Sequence, residues 1–231
     1  MELNRIYNID CTEGMKMLPK DQKYIVVTDP PFNVGYHYKS YSDNMPEDEY
    51  YKWLCDIIGS NPAVIVHYPE SLYKYSAKSG IAPNRVVSWV YNSNTTRQHR
   101  DIAFFGVTPD FCKVKQPYKN LSDKRIIERM QNGERGGKLY DWIYCDQTKN
   151  VSKRAIKGVV HPCQMPVSLM KKIVAILPED YVIVDPFMGS GTTALACIEC
   201  KRQYVGFEID SDYYNIANER IKLETMQLKL F

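Results

Sequence analysis

Apolar positions along this 231-residue chain follow two rhythms. Short, nearly continuous apolar runs at 24–28 (Tyr-Ile-Val-Val-Thr) and 63–67 (Ala-Val-Ile-Val-His) have the length and β-branched content of buried strands. Shorter segments of similar character at 5–8, 86–91, 102–106, 181–184 and 203–207 bring the expected strands to seven. Between them apolar residues recur at spacings of three and four, which predicts helices over 12–18, 46–58, 69–79, 166–177, from the turn at 185–193 to 200, and over 213–222. In 46–58 the stripe is Tyr50, Trp53, Leu54 and Ile57, and Glu47, Asp48 and Glu49 occupy the first turn, where the helix dipole favours acids. Strands alternating with helices predict an α/β fold, Rossmann-like, with a mainly parallel sheet covered by helices on both faces.

From 108 to 160 both rhythms fail. Gly133, Gly136 and Gly137 and scattered basic residues leave one short helix at 124–130. The expected organisation is therefore 1–107 and 161–231 as two parts of one domain, with 108–160 as a small irregular insertion and 225–231 as a tail. No internal repeat interrupts this pattern.

Charge sharpens the insertion. Residues 97–160 hold 14 Lys and Arg against 7 Asp and Glu, a net +7 that leaves −4 for the rest of the chain. A basic segment set into a mildly acidic body suggests contact with a polyanion. Seven cysteines scattered through apolar surroundings predict reduced thiols; Cys197 and Cys200 form one C-x-x-C without a second pair, so no metal site is expected. No apolar run reaches the roughly 20 residues of a membrane span, and the N-terminus lacks signal-peptide character, so a cytoplasmic location is expected.

Two stretches carry chemistry. Asp29-Pro30-Pro31-Phe32 follows directly on the strand 24–28 and places a carboxylate, a rigid carbonyl and an aromatic ring at a strand end, where ligands collect in open α/β sheets. The exocyclic amine of a base is a poor nucleophile because its lone pair is delocalised into the ring. If Asp29 and the Pro30 carbonyl each accept one N–H, the lone pair is turned out of the ring towards an electrophile. Phe32 offers a face on which such a base could stack, and Pro30 and Pro31 keep the acceptors fixed at low entropic cost. The following segment, with Tyr36, Tyr38, Lys39 and Tyr41, reads as a loop over the site that combines stacking and hydrogen-bonding groups.

The second stretch is a βαβ unit over 181–210. Its turn, Asp185-Pro186-Phe187-Met188-Gly189-Ser190-Gly191-Thr192, lets backbone approach a ligand at a helix N-terminus, and Glu208 at the end of the next strand is placed for the hydroxyls of a ribose. An adenosine-containing ligand follows. The turn lacks the third glycine of a dinucleotide site and the Gly-Lys-Ser/Thr of a triphosphate site, so the pattern leaves the cofactor open.

These motifs, in this order, resemble the permuted, β-class DNA methyltransferases that methylate exocyclic amines with S-adenosyl-L-methionine, enzymes of class I methyltransferase fold. The resemblance runs from Asn8-Ile9-Asp10-Cys11 through Asp29 to Phe32, His161-Pro162-Cys163-Gln164-Met165-Pro166 and Asp185 to Thr193 to Glu208-Ile209-Asp210, leaving 108–160 as the target-recognition segment. It implies that Asp185, Pro186, Phe187 and the glycine turn hold the methionine part, Glu208 with Ile209 and Asp210 the ribose end, and Asp10 and Cys11 the adenine rim. His161 and its neighbours would flank the methionine end, with Asp29 beside the methyl group. Where the family commonly has H-P-T-Q-K-P, this chain has Cys163 and Met165, which removes the lysine. Implied partners are double-stranded DNA with its target base flipped, contacted by Arg97, Arg100, Lys113, Lys115, Lys124 and Arg125, and in some family members a second subunit and a cognate restriction enzyme. Asp at the first position of the corner resembles adenine-N6 enzymes; cytosine-N4 enzymes commonly have Ser there. Alternatives are a cytosine-N4 enzyme, an RNA or protein-glutamine methyltransferase, and a non-catalytic nucleic-acid-binding module. Cys163 resembles the nucleophile of cytosine-C5 enzymes, but the cofactor motif lies downstream of it rather than upstream.

Overall fold

The computed structural model describes residues 1–35, 43–148 and 164–228, with side chains to 226. Its elements in chain order are β1 (Arg5–Tyr7), α1 (Cys11–Lys16), β2 (Tyr24–Thr28), α2 (Glu47–Ile58), β3 (Ala63–His67), α3 (Pro69–Ser79), β4 (Arg85–Val90), β5 (His99–Phe105), β6 (Lys115–Gln116), α4 (Lys124–Gln131), β7 (Gly137–Lys138), β8 (Trp142–Tyr144), α5 (Val167–Ala175), β9 (Val182–Asp185), α6 (Thr192–Glu199), β10 (Tyr204–Phe207) and α7 (Ser211–Leu228). One sheet has the order β1-β10-β9-β2-β3-β5-β4-β8, and β6 with β7 forms a separate ribbon. Within the large sheet, among the described residues, only β5 runs antiparallel to its neighbours, β3 and β4.

Period-two alternation explains the two-sided core. In β2, Ile25 and Val27 face a core built with Leu169, Met170 and Ile173 of α5 and Ala194 and Ala196 of α6. Val26 points the other way, into a second core with Tyr50, Leu54 and Ile58 of α2 and Leu72 and Tyr75 of α3. Every residue of β2 and β3 is buried, as parallel strands covered on both faces require.

Among the described residues the sheet has eight strands where seven were expected. The eighth, β8, comes from the insertion and pairs parallel with β4, while Leu139 and Ile143 are buried in the main core. A three-residue strand has too few positions to show a period, so this pairing is set by its neighbour rather than by its own sequence. β5 begins at His99, earlier than expected, because its polar start is paired with Val90 and Trp89 of β4. The last helix continues through Thr225 to Leu228, where a tail was expected. No helix among the described residues is long and apolar enough to cross a membrane.

Candidate functional site

The carboxyl ends of the parallel strands β10, β9 and β2 lie side by side, and a cavity of about 290 Å³ opens there. It brings together both chemical stretches: Asp29 to Phe32 on one side, Asp185 to Ser190 with Thr192 and Thr193 below, and Glu208 to Asp210 with Asp10 and Cys11 on the other. Strand ends at the reversal of sheet order are where such folds bind ligands.

The glycine turn is built around Asp185. Its carboxylate accepts from the Thr28 hydroxyl at 2.9 Å, the Phe187 N–H at 3.0 Å and the Thr193 hydroxyl at 2.5 Å. Burial nevertheless pushes its pKa up to about 6, against these three donors. Gly189 has φ 54°, and its N–H donates to Glu208 Oε2 at 2.7 Å, while the Asp210 N–H donates to Oε1 at 2.8 Å. Burial raises Glu208 to about 7 despite these bonds. Each oxygen bonded once keeps acceptor capacity for a further donor, and the residue borders the cavity. Asp210 caps α7, accepting from Asp212 N–H at 2.8 Å, and Asp10 caps α1 through Thr12 N–H at 2.8 Å. Cys11 beside it is held as a neutral thiol, raised to about 12 chiefly by burial. Ile209 is 48% exposed at the cavity rim, an apolar face without a core partner.

Gly191, expected among the cofactor residues, does not line the cavity. It sits at φ 85°, where a Cβ would come within 3.0 Å of Ala217 Cβ on α7. Its place in the turn is a matter of helix packing. The same helix clamps the turn through Arg220, whose guanidinium donates to the Ser190 carbonyl and hydroxyl.

Asp29 is reached by the Arg100 guanidinium at 3.6 Å, and its Oδ1 is buried with no donor among the described residues. Burial lifts the carboxyl to about 7; Arg100 pulls it down and Asp185 adds to the rise. The corner is fixed from behind by a relay. The Tyr68 N–H donates to His67 Nδ1 at 2.7 Å, which leaves the proton on Nε2, 3.3 Å from the Tyr50 hydroxyl oxygen. That hydroxyl in turn donates to the Pro31 carbonyl at 2.6 Å. Burial and the charge of Arg100 hold His67 down at about 3, so it is neutral.

Phe32 borders the cavity and also packs on His67 at 4.5 Å, on Tyr68 at 5.0 Å and under Arg100 at 4.5 Å. Arg100, expected to reach DNA, is instead buried at 7% exposure between β5 and this corner. A charged residue next to an apolar run reads as surface; the antiparallel course of β5 turns it to the strand ends that form the site.

Other residues expected to meet nucleic acid are dispersed. Arg97 is paired with Glu70 and stacks over Tyr68 at 4.1 Å, and Lys113 bonds Glu179 at 2.8 Å. Lys115 and Lys124 are exposed, and Arg125 folds back on Asp123 at 2.9 Å. Tyr36, Tyr38, Lys39, Tyr41, His161 and Cys163 lie outside the described residues. No group of His, Cys, Asp or Glu among the described residues is arranged to hold a metal.

Sequence reasoning missed Met45, Trp53 and Tyr213 in the lining, while Gln164 and Met165, from the element expected to flank the methionine end, border the cavity. Trp53 was read as core, and it does pack on Phe187 at 5.2 Å, so no local signal separates the two roles. Met165, in place of the family lysine, is buried, and its carbonyl accepts from the Thr192 hydroxyl at 3.3 Å.

The N6/N4 methyltransferase family model, described as DNA methylase, matches residues 60–219. The type II methyltransferase M.BglII of Bacillus subtilis is 27% identical over 252 residues, covering 93% of this chain and 68% of that protein. Among solved structures, PvuII DNA methyltransferase (cytosine-N4-specific) superposes with a TM-score of 0.66 at 18% identity, covering 92% of this chain and 84% of that one. The M1.HpyAVI–SAM complex does so at 0.58 and 21% identity, covering 94% and 98%. The family match begins beyond Asp29, so the role of the corner rests on its own geometry.

Proposed function

The chain belongs to the N6/N4 DNA methylase family, and on that premise we propose that it transfers a methyl group from S-adenosyl-L-methionine to the exocyclic N6 of an adenine flipped out of DNA. The observation that carries this reading is the Asp29 carboxylate, largely buried and with Oδ1 unfilled among the described residues, at the wall of the cavity it shares with the glycine turn.

The residues present fit the cofactor. Glu208 has oxygens to spare for ribose hydroxyls, Ile209 offers its apolar side to an adenine ring, and Asp10 and Cys11 border the same end. Trp53, Phe187 and the turn at Gly189 and Ser190 would enclose the methionine end. When bound, S-adenosyl-L-methionine supplies a methyl group on a sulfonium, electrophilic enough to need no covalent enzyme intermediate.

The protein's part is orientation and proton handling. Asp29 and the Pro30 carbonyl accept the two N–H bonds of the amine and turn its lone pair out of conjugation. An amine that gains a methyl must lose a proton. Asp29, raised to about 7 by burial, is ionised enough to accept the N–H and basic enough to take that proton. Phe32 flanks the base, and the relay from Tyr68 through His67 and Tyr50 keeps the corner rigid. DNA must deliver the base out of its stack, since the acceptors sit in a concave site.

Adenine rather than cytosine is favoured by Asp29, the residue that adenine-N6 enzymes carry at this position. The PvuII likeness keeps cytosine-N4 as the second reading. The test is Asp29→Ala with labelled cofactor and unmethylated DNA. Transfer should be abolished while cofactor affinity stays within about threefold, since the lost acceptor serves the target amine. Methyl transfer at a near wild-type rate by the variant would remove Asp29 from the chemistry. Digestion of the wild-type product to nucleosides should yield N6-methyl-2′-deoxyadenosine; N4-methyl-2′-deoxycytidine instead would favour the second reading.

A further inference from the structure

We propose that Arg100 is a positioning residue for methyl transfer, a clamp that grips both ends of the Asp29–Phe32 corner and keeps the Asp29 carboxylate charged and aimed. This inference rests on the proposed transferase reading.

The grip is geometric. Nη1 of Arg100 lies 3.6 Å from Asp29 Oδ2, and the same guanidinium covers the Phe32 ring at 4.5 Å. One planar cation therefore touches the first and the last residue of the tetrapeptide. Two further rings complete an aromatic box, Trp89 at 5.4 Å and Tyr68 at 5.6 Å. Trp89 is itself anchored, donating from Nε1 to the Cys145 carbonyl at 2.7 Å. Three aromatic faces compensate the desolvation of a guanidinium and fix its plane, which a flexible ammonium could not reproduce.

The topology explains why this cation is here. β5 is the strand that runs against its neighbours, so its first residues, and not its last, sit at the carboxyl ends of β2 and β3. Asp101, the next residue, faces the other way and accepts from the Ser88 hydroxyl at 2.9 Å. An arginine at the start of an antiparallel strand thus reaches a corner encoded far upstream.

The charges around the pair leave Arg100 with a distinct task. Asp185 approaches Asp29 from β9 and repels its charge. His67 from β3 is neutral, and the Tyr91 hydroxyl faces Arg100 from the end of β4. Arg97 and Glu70, beyond Tyr68, form their own pair. Among the described groups that act on Asp29, Arg100 is the one that favours its ionised form. Without it, burial and Asp185 would together keep the carboxyl protonated to higher pH, and a protonated carboxyl offers one acceptor fewer to the amine.

The test compares single-turnover methyl transfer by wild type, Arg100→Met and Arg100→Lys across pH 5.5–9.5, with cofactor affinity measured by calorimetry. Arg100→Met should move the acid limb of the rate upward by about one unit or more, so that transfer falls about fivefold or more at pH 7 and recovers at high pH. Cofactor affinity should stay within threefold. A cation too small to fill the box, Arg100→Lys should keep the limb in place but lower the plateau rate. If Arg100→Met keeps the wild-type limb, or loses rate equally at every pH, the clamp is overturned while transfer by the wild type still supports the parent reading. Should Arg100→Met fail to fold, a wild-type plateau in Arg100→Lys overturns it instead. No transfer by the wild type overturns both.

Discussion

Gly191→Ala tests the packing of the cofactor turn against helix α7. Gly191 has φ 85° and ψ 21° at the start of α6, a left-handed conformation that costs an L-residue about 1–2 kcal/mol. Its new Cβ would stand 3.0 Å from Ala217 Cβ and 3.2 Å from Ala217 Cα, closer than the ~3.5–4.0 Å of carbon contacts. The neighbour is helix backbone rather than a flexible side-chain tip, so α7 itself must shift, an overpacking cost of about 1–3 kcal/mol. A gain of about 0.4–1 kcal/mol from the stiffer unfolded chain offsets part of this. The net loss is about 2–4 kcal/mol, a fall in Tm of roughly 5–15 °C for a chain of this size. Moving α7 also pulls Arg220 from Ser190, so cofactor affinity should drop with stability. Urea unfolding and calorimetric titration of S-adenosyl-L-methionine read both effects. Gly80→Ala is the control: it shares the positive φ, at 70°, but has nothing within 4 Å, so it should lose only about 1 kcal/mol and no affinity. Equal losses at the two glycines would refute the close-approach reasoning.

Two further outcomes follow from the site. Tyr50→Phe deletes the donor to the half-buried Pro31 carbonyl and the acceptor for the buried His67 Nε2–H, and should cost about 1–3 kcal/mol in urea unfolding and lower the transfer rate more than the cofactor affinity; an unchanged rate would show that the corner holds without the relay. Stability of the cofactor-free protein should rise as pH falls from 8 to about 5.5. Asp29, Asp185 and Glu208 have folded values raised to about 7, 6 and 7, so they retain protons that the unfolded chain has released. Their contribution is full below the unfolded values near pH 4 and is lost as pH climbs through 6–7. His67, lowered to about 3, opposes this below about pH 6.5, one group against three. A urea midpoint that rises steadily from pH 5.5 to 8 would contradict the burial of these carboxyls.

Much of the site was legible because its parts are local. Asp29 to Phe32 and Asp185 to Thr192 each sit at the end of an apolar run, and a strand that stops at a polar corner announces a ligand site in few residues. Three features were not legible for a shared reason. Arg100 was assigned to DNA because a cation outside a strand resembles surface, Gly191 to the cofactor because its turn was read without α7, and Trp53 to the core because a helical stripe does not reveal what lies against it. Each depends on a partner distant in sequence.

Hydrophobic period and turn chemistry, read along the chain alone, determined the α/β class, the two-faced cover of β2 and β3, the βαβ unit and the chemical groups available for methyl transfer. These follow from each residue's own neighbours, where backbone sterics and burial act over a few positions. Only the tertiary structure decided which groups meet. The reversed direction of β5 delivers Arg100 to Asp29, the addition of β8 to the sheet anchors Trp89 behind it, and the approach of α7 requires glycine at 191. Strand order and direction are set by the joint packing of all the layers, a quantity no single segment encodes, and it is that packing which turns a polar corner into an oriented carboxylate.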